Sequence, residues 1–332
     1  MSLKTAGTTR AGSVLGEDLL VPGSVANLGG GFDTLGVAVE LYLRARVLDV
    51  RDDGGGRLRV ASSTPPVSGD NAVERAFRIA ARRTGRSAPS VTAEVESEIP
   101  MAAGLGSSAA ATVAGLRIFE RVTGPVDDGT LLAAAVEAEG HADNAAPALF
   151  GGLLSVVEMD GGGARALRWS WPGDLRIVAG TPETGLTTAR ARAALPPAVP
   201  RADAIFNLQR VVALVHALQH RDYAQMREAV RDRLHQPARA ALVPVLSEAL
   251  AVEDPDVVGA FLSGAGPSVA MLARDGAADR VAGLLRHVYE RAGVPATVRV
   301  LRVHEGTGDR RAASQERNAM KESVATMPGR TA

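Results

Sequence analysis

The sequence predicts an α+β fold in two domains, and two observations carry this prediction. Apolar segments typical of strands occur among longer segments with helical periodicity along the whole chain. The 332 residues are also enough for one large or two ordinary domains with a sizeable core. Because a new buried strand is predicted at 175–180, we place domains at 17–165 and 166–304, with disordered tails at 1–16 and 305–332.

The first half mixes strands with helices. A glycine turn at 52–56 separates two strands, and Asp70-Asn71 precedes the first helix as a capping signal. Gly124-Pro125 closes the second helix, and Gly140 is the expected C-cap of the third. Strands are predicted at 18–21, 41–50, 58–61, 91–99 and 153–157, and helices at 73–84, 107–123 and 128–139.

The second half is predicted to form a βαββαβ-like sandwich with an inserted layer of helices. Glycine-rich residues 264–267 separate two of its strands. Strands are predicted at 175–180, 257–263, 268–273 and 297–303, and helices at 202–219, 222–234, 237–251 and 277–292.

The composition excludes several classes of protein. The chain has 37 basic and 37 acidic residues, so its balanced charge indicates neither a nucleic-acid footprint nor a membrane-surface patch. It has no cysteine, and therefore no disulfide or thiolate chemistry. Its start lacks a charged-then-apolar signal, and no apolar run reaches the length of a membrane span. We expect a cytoplasmic protein whose partners are small molecules.

Residues 100–110, PMAAGLGSSAA, are predicted to bind phosphate. Gly104 and Gly106 permit positive φ angles and remove Cβ atoms, so that successive backbone N–H groups can converge on an anion. Ser107 and Ser108 then begin a helix, whose free N–H groups and dipole favour negative charge. An ordinary strand-to-helix connection with a serine N-cap is the alternative. The predicted cradle comprises Pro100, Met101, Ala102, Ala103, Gly104, Leu105, Gly106, Ser107, Ser108, Ala109 and Ala110.

This loop is not a Walker A motif, because it lacks the GxxxxGK sequence followed by Ser or Thr. The only lysines are Lys4 and Lys321, near the two ends of the chain. P-loop NTPases and protein kinases, which each place a lysine on nucleotide phosphates, are therefore excluded. The PxxxGLGSSAA sequence instead resembles the nucleotide loop of the GHMP small-molecule kinases, which include the galactose, homoserine, mevalonate and phosphomevalonate kinases.

Two further segments resemble motifs of this family. Residues 24–33, SVANLGGGFD, are similar to the first motif of the homoserine kinases, and 263–268, SGAGPS, are similar to the third motif, which packs over the nucleotide loop. A flexible connection and a tight turn are the respective alternatives. The resemblance extends from about residue 19 to 303. It implies a ribosomal-protein-S5-like N-terminal domain, a ferredoxin-like C-terminal domain and a site in the cleft between them.

Residues 139–152, EGHADNAAPALFGG, closely resemble another segment of the homoserine kinases. Carboxylates here suit Mg²⁺, a hard cation that takes one or two protein oxygens besides phosphate and water. We expect Ser108 and Glu139 to hold Mg²⁺, with Glu137 as the alternative, because the gap between the family's metal glutamate and its Asp-Asn pair varies. His141 is expected to be a structural or orienting residue and not a metal ligand.

The resemblance also implies how an amino-acid substrate is held. Residues 187–196 are similar to a family segment whose arginine, here Arg192, contacts the substrate carboxylate, and LHQPAR at 234–239 supplies Arg239 as a second partner. The family's tyrosine in the latter segment is Ala238 here. The implied substrate contacts are Asn27 and Asp33 near the ammonium group, Asp143 and Asn144 at the reacting hydroxyl, Arg192 and Arg239 at the carboxylate, and Gly266.

The roles of Asp143 and Asn144 are predicted to be catalytic. The sequence leaves open whether Asp143 is a general base or orients the substrate, although little proton abstraction is needed if phosphoryl transfer is dissociative.

The function implied is transfer of the ATP γ-phosphoryl group to the side-chain hydroxyl of L-homoserine, on the route to threonine. The cofactors are then ATP and Mg²⁺, and the family resemblance suggests a homodimer. A mevalonate- or sugar-directed GHMP kinase would share the cradle but has no reason to carry paired carboxylate-binding arginines. A non-catalytic nucleotide-binding protein of the same fold is the second alternative, against which the complete set of motifs argues.

Overall fold

Two β-sheets, one in each half of the chain, organise the structure. The computed structural model describes residues 14–67, 69–160 and 163–306. Within these ranges no helix is both long and apolar enough to cross a membrane. The cytoplasmic location and the homodimer stay predictions.

The first sheet contains six strands. They are β1 (Asp18–Ala26), β2 (Leu35–Arg51), β3 (Leu58–Thr64), β4 (Ser90–Ser97), β5 (Leu153–Glu158) and β6 (Ala164–Trp169). Their order is β3-β4-β2-β5-β6, and β1 pairs with β2. β2 starts six residues before the predicted 41, because residues 35–39 are all buried and show no alternation.

Four helices pack against this sheet: α1 (Ala72–Thr84), α2 (Ser107–Thr123), α3 (Asp128–Glu139) and α4 (Ala145–Phe150). The Asn71 side chain accepts a hydrogen bond from the Val73 N–H at 2.9 Å, which is the predicted cap of α1. Gly140 ends α3 with a φ of 77°, also as predicted. The bounds of α2 and α3 agree with the predicted ones, because both helices carry clear start and stop residues.

The second sheet contains β7 (Leu175–Pro182), β8 (Val257–Leu262), β9 (Val269–Arg274) and β10 (Ala296–Leu301). Its order is β10-β7-β9-β8, and every pair is antiparallel. This is the strand order of a ferredoxin-like βαββαβ unit, so the predicted α+β class and C-terminal architecture are confirmed.

Five helices lie between β7 and β8, and one lies between β9 and β10. They are α5 (Thr188–Ala193), α6 (Arg201–His220), α7 (Tyr223–Ala229), α8 (Gln236–Arg239), α9 (Leu246–Leu250) and α10 (Ala278–Arg291).

The long helices predicted at 222–234 and 237–251 were wrong, because the chain is broken into the short α7, α8 and α9. The Asp232 carboxylate accepts hydrogen bonds from the N–H groups of Leu234, His235 and Gln236, which competes with a continuous helix. Pro244 lies between α8 and α9 and has no N–H to donate.

The predicted domain limits fall within structured segments. The division between 165 and 166 lies inside β6, all of which pairs with β5 in the first sheet. Residues 14–16 and 305–306 also belong to the fold: the Gly16 N–H donates to Val47 O at 3.1 Å, and Arg168 donates to Glu305 O at 3.3 Å. The rest of the two predicted tails, 1–13 and 307–332, lies outside the described residues.

The two halves share buried contacts. Beyond β10, the N–H of Glu40 in β2 donates to Arg302 O at 2.9 Å, so the chain returns to the first sheet. Buried Leu214 and Phe261 of the second half belong to the same apolar cluster as Leu28 and Leu35 of the first. This continuous core fixes how the domains meet and where the cleft between them opens.

Two helical glycines offer a matched test of the packing between α1 and α2. A Cβ on Gly115 of α2 would lie 2.1 Å from Val73 O, whereas a Cβ on Gly283 of α10 would meet nothing within 4 Å. We expect Gly115→Ala to lower the free energy of unfolding by about 1–3 kcal/mol through overpacking. Gly283→Ala should raise it by about 0.5–1 kcal/mol, because alanine has the higher helix propensity.

The measurement is the thermal melting temperature of the two variants beside the parent chain. If Gly115→Ala melts at or above the parent temperature, the close packing of α1 on α2 is contradicted.

Candidate active site

A cleft between the two domains contains most of the residues that the motifs predicted. The cleft spans about 680 Å³ of empty space, and this volume includes open solvent at its mouth. Its walls come from the loop before β2, the loop before α2, the segment between α3 and α4, the α5 region and the turn between β8 and β9.

The loop before α2 has the backbone that a phosphate cradle needs. Gly104 and Gly106 have φ angles of 77° and 75°. A Cβ on Gly104 would lie 2.3 Å from Ser263 O, and one on Gly106 would lie 2.1 Å from Ser24 Oγ. Only glycine therefore fits at either position.

The start of α2 carries no side-chain cap. Gly106 is the N-cap residue, and Ser107 is already the first residue of the helix. The alternative of an ordinary serine-capped connection is thus not what the structure contains. Since the first N–H groups of a helix lack partners within it, this helix start, lined by Ser107, Ser108 and Ala109, suits an anion.

The turn between β8 and β9 packs on this loop, as the resemblance implied. Ser263 Oγ donates to Gly104 O at 2.7 Å, and the Ser268 N–H donates to Ala103 O at 3.2 Å. Gly266 of the same turn lines the cleft.

Seven of the eleven predicted cradle residues line the cleft, and four do not. Leu105 and Ala110 are fully buried in the apolar core, and Met101 is half-exposed. The lining residues are Ala102, Ala103, Gly104, Gly106, Ser107, Ser108 and Ala109, whereas Pro100, Met101, Leu105 and Ala110 lie outside it.

The structure separates the two candidate metal-binding glutamates. Glu139 lines the cleft and accepts hydrogen bonds from Ser108 Oγ at 3.0 Å and from Thr112 Oγ1. Glu137 forms ion pairs with Arg82 and Arg83 of α1 and does not line the cleft. Thr112 was missed by the motif analysis, although its position one turn after Ser108 on α2 is a usable signal.

No group of three or more histidine, aspartate or glutamate side chains arranged to hold a metal exists among the described residues.

Asp143 and its neighbours form a hydrogen-bonded group at the floor of the cleft. Asp143 is 3% exposed, and its Oδ1 accepts from His141 Nδ1 at 2.7 Å and from the Asn144 N–H at 3.0 Å. Asn144 Oδ1 accepts from Ser24 Oγ at 2.9 Å. The hydrogen bond with Asp143 raises the pKa of His141, while burial opposes it. His141 thus contacts the Asp143 carboxylate, and its orienting role stays a prediction.

The loop before β2 holds Asn27 and Asp33 against each other. Both have positive φ angles, 72° and 52°, and both line the cleft. Asn27 Nδ2 donates to Gly264 O at 2.8 Å, while its Oδ1 accepts from the Asp33 N–H at 3.0 Å. The amide of Asn27 therefore ties this loop to the turn between β8 and β9.

The two predicted carboxylate-binding arginines lie in different surroundings. Arg192 of α5 forms a two-pronged ion pair with Asp33, with N–O distances of 3.0 and 2.9 Å, and this contact raises the pKa of Arg192. Arg239 of α8 is 2% exposed, and burial lowers the pKa of its guanidinium.

The acceptors around Arg239 are all neutral. They are Ala191 O at 3.3 Å, His235 Nδ1 at 3.1 Å and Gly264 O at 3.2 Å. Among the described residues, no carboxylate lies within ion-pair distance of Arg239 and no acceptor contacts its Nη2. Phe32 and His235 lie within the matched motifs, but neither was predicted to be a site residue; in the structure the Phe32 ring stacks on the His235 ring.

This fold, with a glycine cradle at the junction of its two domains, is that of the GHMP kinases. The family described as GHMP kinases N terminal domain matches residues 71–152, and GHMP kinases C terminal matches residues 214–291. Together they span the cradle, the Glu139 segment and much of the second domain.

Similar proteins narrow the assignment within the GHMP kinases. A homoserine kinase from Deinococcus radiodurans is 42% identical over 250 residues, covering 75% of this chain and 81% of the relative. One from Thermus thermophilus is 36% identical over 293 residues, covering 87% of this chain and 96% of the relative. The crystal structure of homoserine kinase from Cytophaga hutchinsonii aligns with a TM-score of 0.76 at 26% identity, covering 92% of this chain and 98% of that chain. The chain therefore belongs to the homoserine kinase family of GHMP kinases.

Proposed function

We propose that this chain transfers the γ-phosphoryl group of ATP to the side-chain hydroxyl of L-homoserine. Relatives named homoserine kinase, 35–42% identical over most of the chain, support the reaction. The observation that carries the substrate assignment is Arg239, a buried guanidinium beside the phosphate cradle with only neutral acceptors. A buried charge without a counter-ion is costly, so this position favours an anionic ligand such as an amino-acid carboxylate.

The ion pair between Arg192 and Asp33 would be exchanged when the substrate binds. A zwitterion offers a carboxylate to Arg192 and an ammonium to Asp33, so each side chain loses one partner and gains another. A ligand with only one of these charges would leave the other side chain without a counter-ion. This arrangement supports recognition of the α-amino acid as a unit.

ATP would lie with its phosphates on the loop before α2 and on the N-terminus of that helix. Ser108 and Glu139 would hold Mg²⁺, because hydroxyl and carboxylate oxygens are the hard donors that this cation takes. When bound, Mg²⁺ supplies positive charge to the phosphate oxygens. The protein's own contribution is to orient the phosphates and to limit water through the packing of the turn between β8 and β9 on the loop.

Asp143 and Asn144 would orient the acceptor hydroxyl. The protein contacts of the Asp143 carboxylate involve Oδ1, and among the described residues its Oδ2 has no hydrogen-bond partner. Because Ser24 holds Asn144 Oδ1, the amide Nδ2 is turned to act as a donor. Positioning of this kind is most of what a dissociative phosphoryl transfer requires from the acceptor side.

The reaction is tested by ADP release on adding L-homoserine to the purified chain with ATP and Mg²⁺. We expect turnover with homoserine and little with threonine, serine or mevalonate as acceptors. Preference for mevalonate, or no ADP release with any small alcohol, would contradict the proposal.

The two glutamates give a matched pair for the metal site. Glu139→Gln should lower kcat by about 100-fold or more, because it weakens a charge contact at the transferring phosphates. Glu137→Gln should leave kcat near that of the parent, because this side chain contacts α1 arginines. As a readout independent of turnover, calorimetry should show that Mg²⁺ strengthens ADP binding in Glu137→Gln but much less in Glu139→Gln. The reverse pattern would move the metal site to Glu137.

The ion-pair exchange is tested with 4-hydroxybutyrate, which is homoserine without its amino group. Asp33→Asn should lower kcat/KM for homoserine by about 10- to 100-fold, because a charge-assisted contact is lost. It should leave kcat/KM for 4-hydroxybutyrate unchanged or higher, because Arg192 no longer has to leave a carboxylate partner. Asp49→Asn, which removes an exposed ion pair with Arg51, is the control and should change neither value. Equal losses for both substrates would show that Asp33 serves only the fold.

A further inference from the structure

His235 is a fully buried histidine that lies between the loop carrying Asp33 and the guanidinium of Arg239. It lies at the start of α8, is 0% exposed and uses both ring nitrogens. Its Nε2 is 3.0 Å from Gly29 O in the loop that carries Asp33, and its Nδ1 is 3.1 Å from Arg239 Nη1.

These two contacts determine where the ring proton lies. A carbonyl oxygen can only accept, so Nε2 must carry hydrogen and donate to Gly29 O. A guanidinium can only donate, so Nδ1 must be unprotonated and accept from Arg239. The ring is therefore neutral with its proton on Nε2. Burial also lowers the pKa of His235, which favours the same neutral form.

The surroundings of His235 hold the ring in place from other directions. Phe32 stacks on it, with 4.9 Å between ring centroids and 20° between planes. Asp232 Oδ2 is 3.7 Å from Nε2, but that oxygen accepts from the N–H groups of His235 and Gln236 at 2.9 and 2.7 Å. Asp232 thus holds the backbone of the turn, while Gly29 O is the partner of the ring.

We infer that His235 is a positioning residue, which orients Arg239 toward the substrate carboxylate through Nδ1 and is itself fixed by Gly29 through Nε2. This inference rests on the proposed function, in which Arg239 binds that carboxylate. The other two acceptors of Arg239 are backbone carbonyls, so His235 supplies its only side-chain hydrogen bond among the described residues, while the centroid of the Phe32 ring lies 5.3 Å from its guanidinium carbon. The role differs from plain core packing, because it depends on one nitrogen of the ring.

Two substitutions separate the two nitrogens. In His235→Asn the amide oxygen can take the place of Nδ1 and still accept from Arg239, but the donor to Gly29 is lost. In His235→Gln the amide nitrogen can take the place of Nε2 and still donate to Gly29, but the acceptor for Arg239 is lost. Both variants lose the stacking on Phe32, so this loss does not contribute to a difference between them.

We expect His235→Gln to raise the homoserine KM by about tenfold or more, with little change in the ATP KM, because a contact to a charged group is removed. His235→Asn should raise the homoserine KM by much less, since Asn27 and Asn207 still hold the loop through Gly264 O and Gly30 O. Melting temperatures are measured beside the kinetics. Equal KM changes in both variants, or a larger change in His235→Asn, would overturn the inference.

A double-mutant cycle shows whether His235 acts through Arg239. In an Arg239→Met background, which keeps a side chain of similar length in the buried position, His235→Gln should leave the homoserine KM nearly unchanged. A further rise as large as in the parent background would overturn the inference.

A measurement on the unaltered chain covers the case in which the variants do not fold. Nitrogen NMR of ¹⁵N-histidine-labelled protein should show one ring that is neutral and protonated on Nε2 at neutral pH, with an Nδ1 resonance that shifts on homoserine binding. A His235 ring that is cationic or protonated on Nδ1 would overturn the inference. Failure of the proposed function is separate: it would appear as no homoserine-dependent ADP release from the parent chain.

Discussion

Close approach of two backbones across the domain junction is the constraint on which the cleft depends. The loop at Gly104 and the turn at Ser263 meet with no room for a Cβ between them, and hydrogen bonds from Ser263 and Ser268 join them directly. Because the loop and the turn are in direct contact, the start of α2 in one domain and Arg239 in the other line the same cleft. In the proposed reaction, a wider junction would move the phosphates of ATP away from the acceptor hydroxyl, and phosphoryl transfer would lose the positioning on which it depends.

The charges in the cleft are arranged unevenly for a physical reason. Arg192 is partly exposed and forms an ion pair with Asp33 when no substrate is present. The desolvation penalty of this pair is small, because both side chains remain partly in contact with solvent. Arg239 is buried among neutral acceptors, and its charge is stabilised by their dipoles, by the face of the Phe32 ring at 5.3 Å and by carboxylates beyond ion-pair distance. In the proposed function, Arg192 exchanges its carboxylate partner when the substrate binds, whereas Arg239 has no such partner to release. An amino-acid zwitterion would then bind without reorganising the core.

Propensity, periodicity and capping rules predicted an element correctly wherever its bounds depend on its own residues. The bounds of α2 and α3 follow from glycine and proline stops and from helical periodicity, and the cap at Asn71 needs only its next neighbours. Those rules failed at α7 to α9, where the buried Asp232 carboxylate takes up N–H groups that a helix would use. They also failed at β6, which belongs to the first sheet only because it pairs with β5.

The sequence by itself determined the class of fold, the glycine loop before α2 and the family, because each rests on residue types at fixed short spacings. Tertiary structure alone decided which side chains meet. Glu137 and Glu139 are two residues apart, and a helix points such positions to nearly opposite sides, so the packing of α3 turned one toward α1 and the other toward Ser108. The difference between Arg192 and Arg239, and the contact of His235 with Gly29 across 206 positions, likewise depend on how the domains pack. No local spacing encodes contacts between segments so far apart in the chain, because they exist only once the shared core has set the two domains against each other.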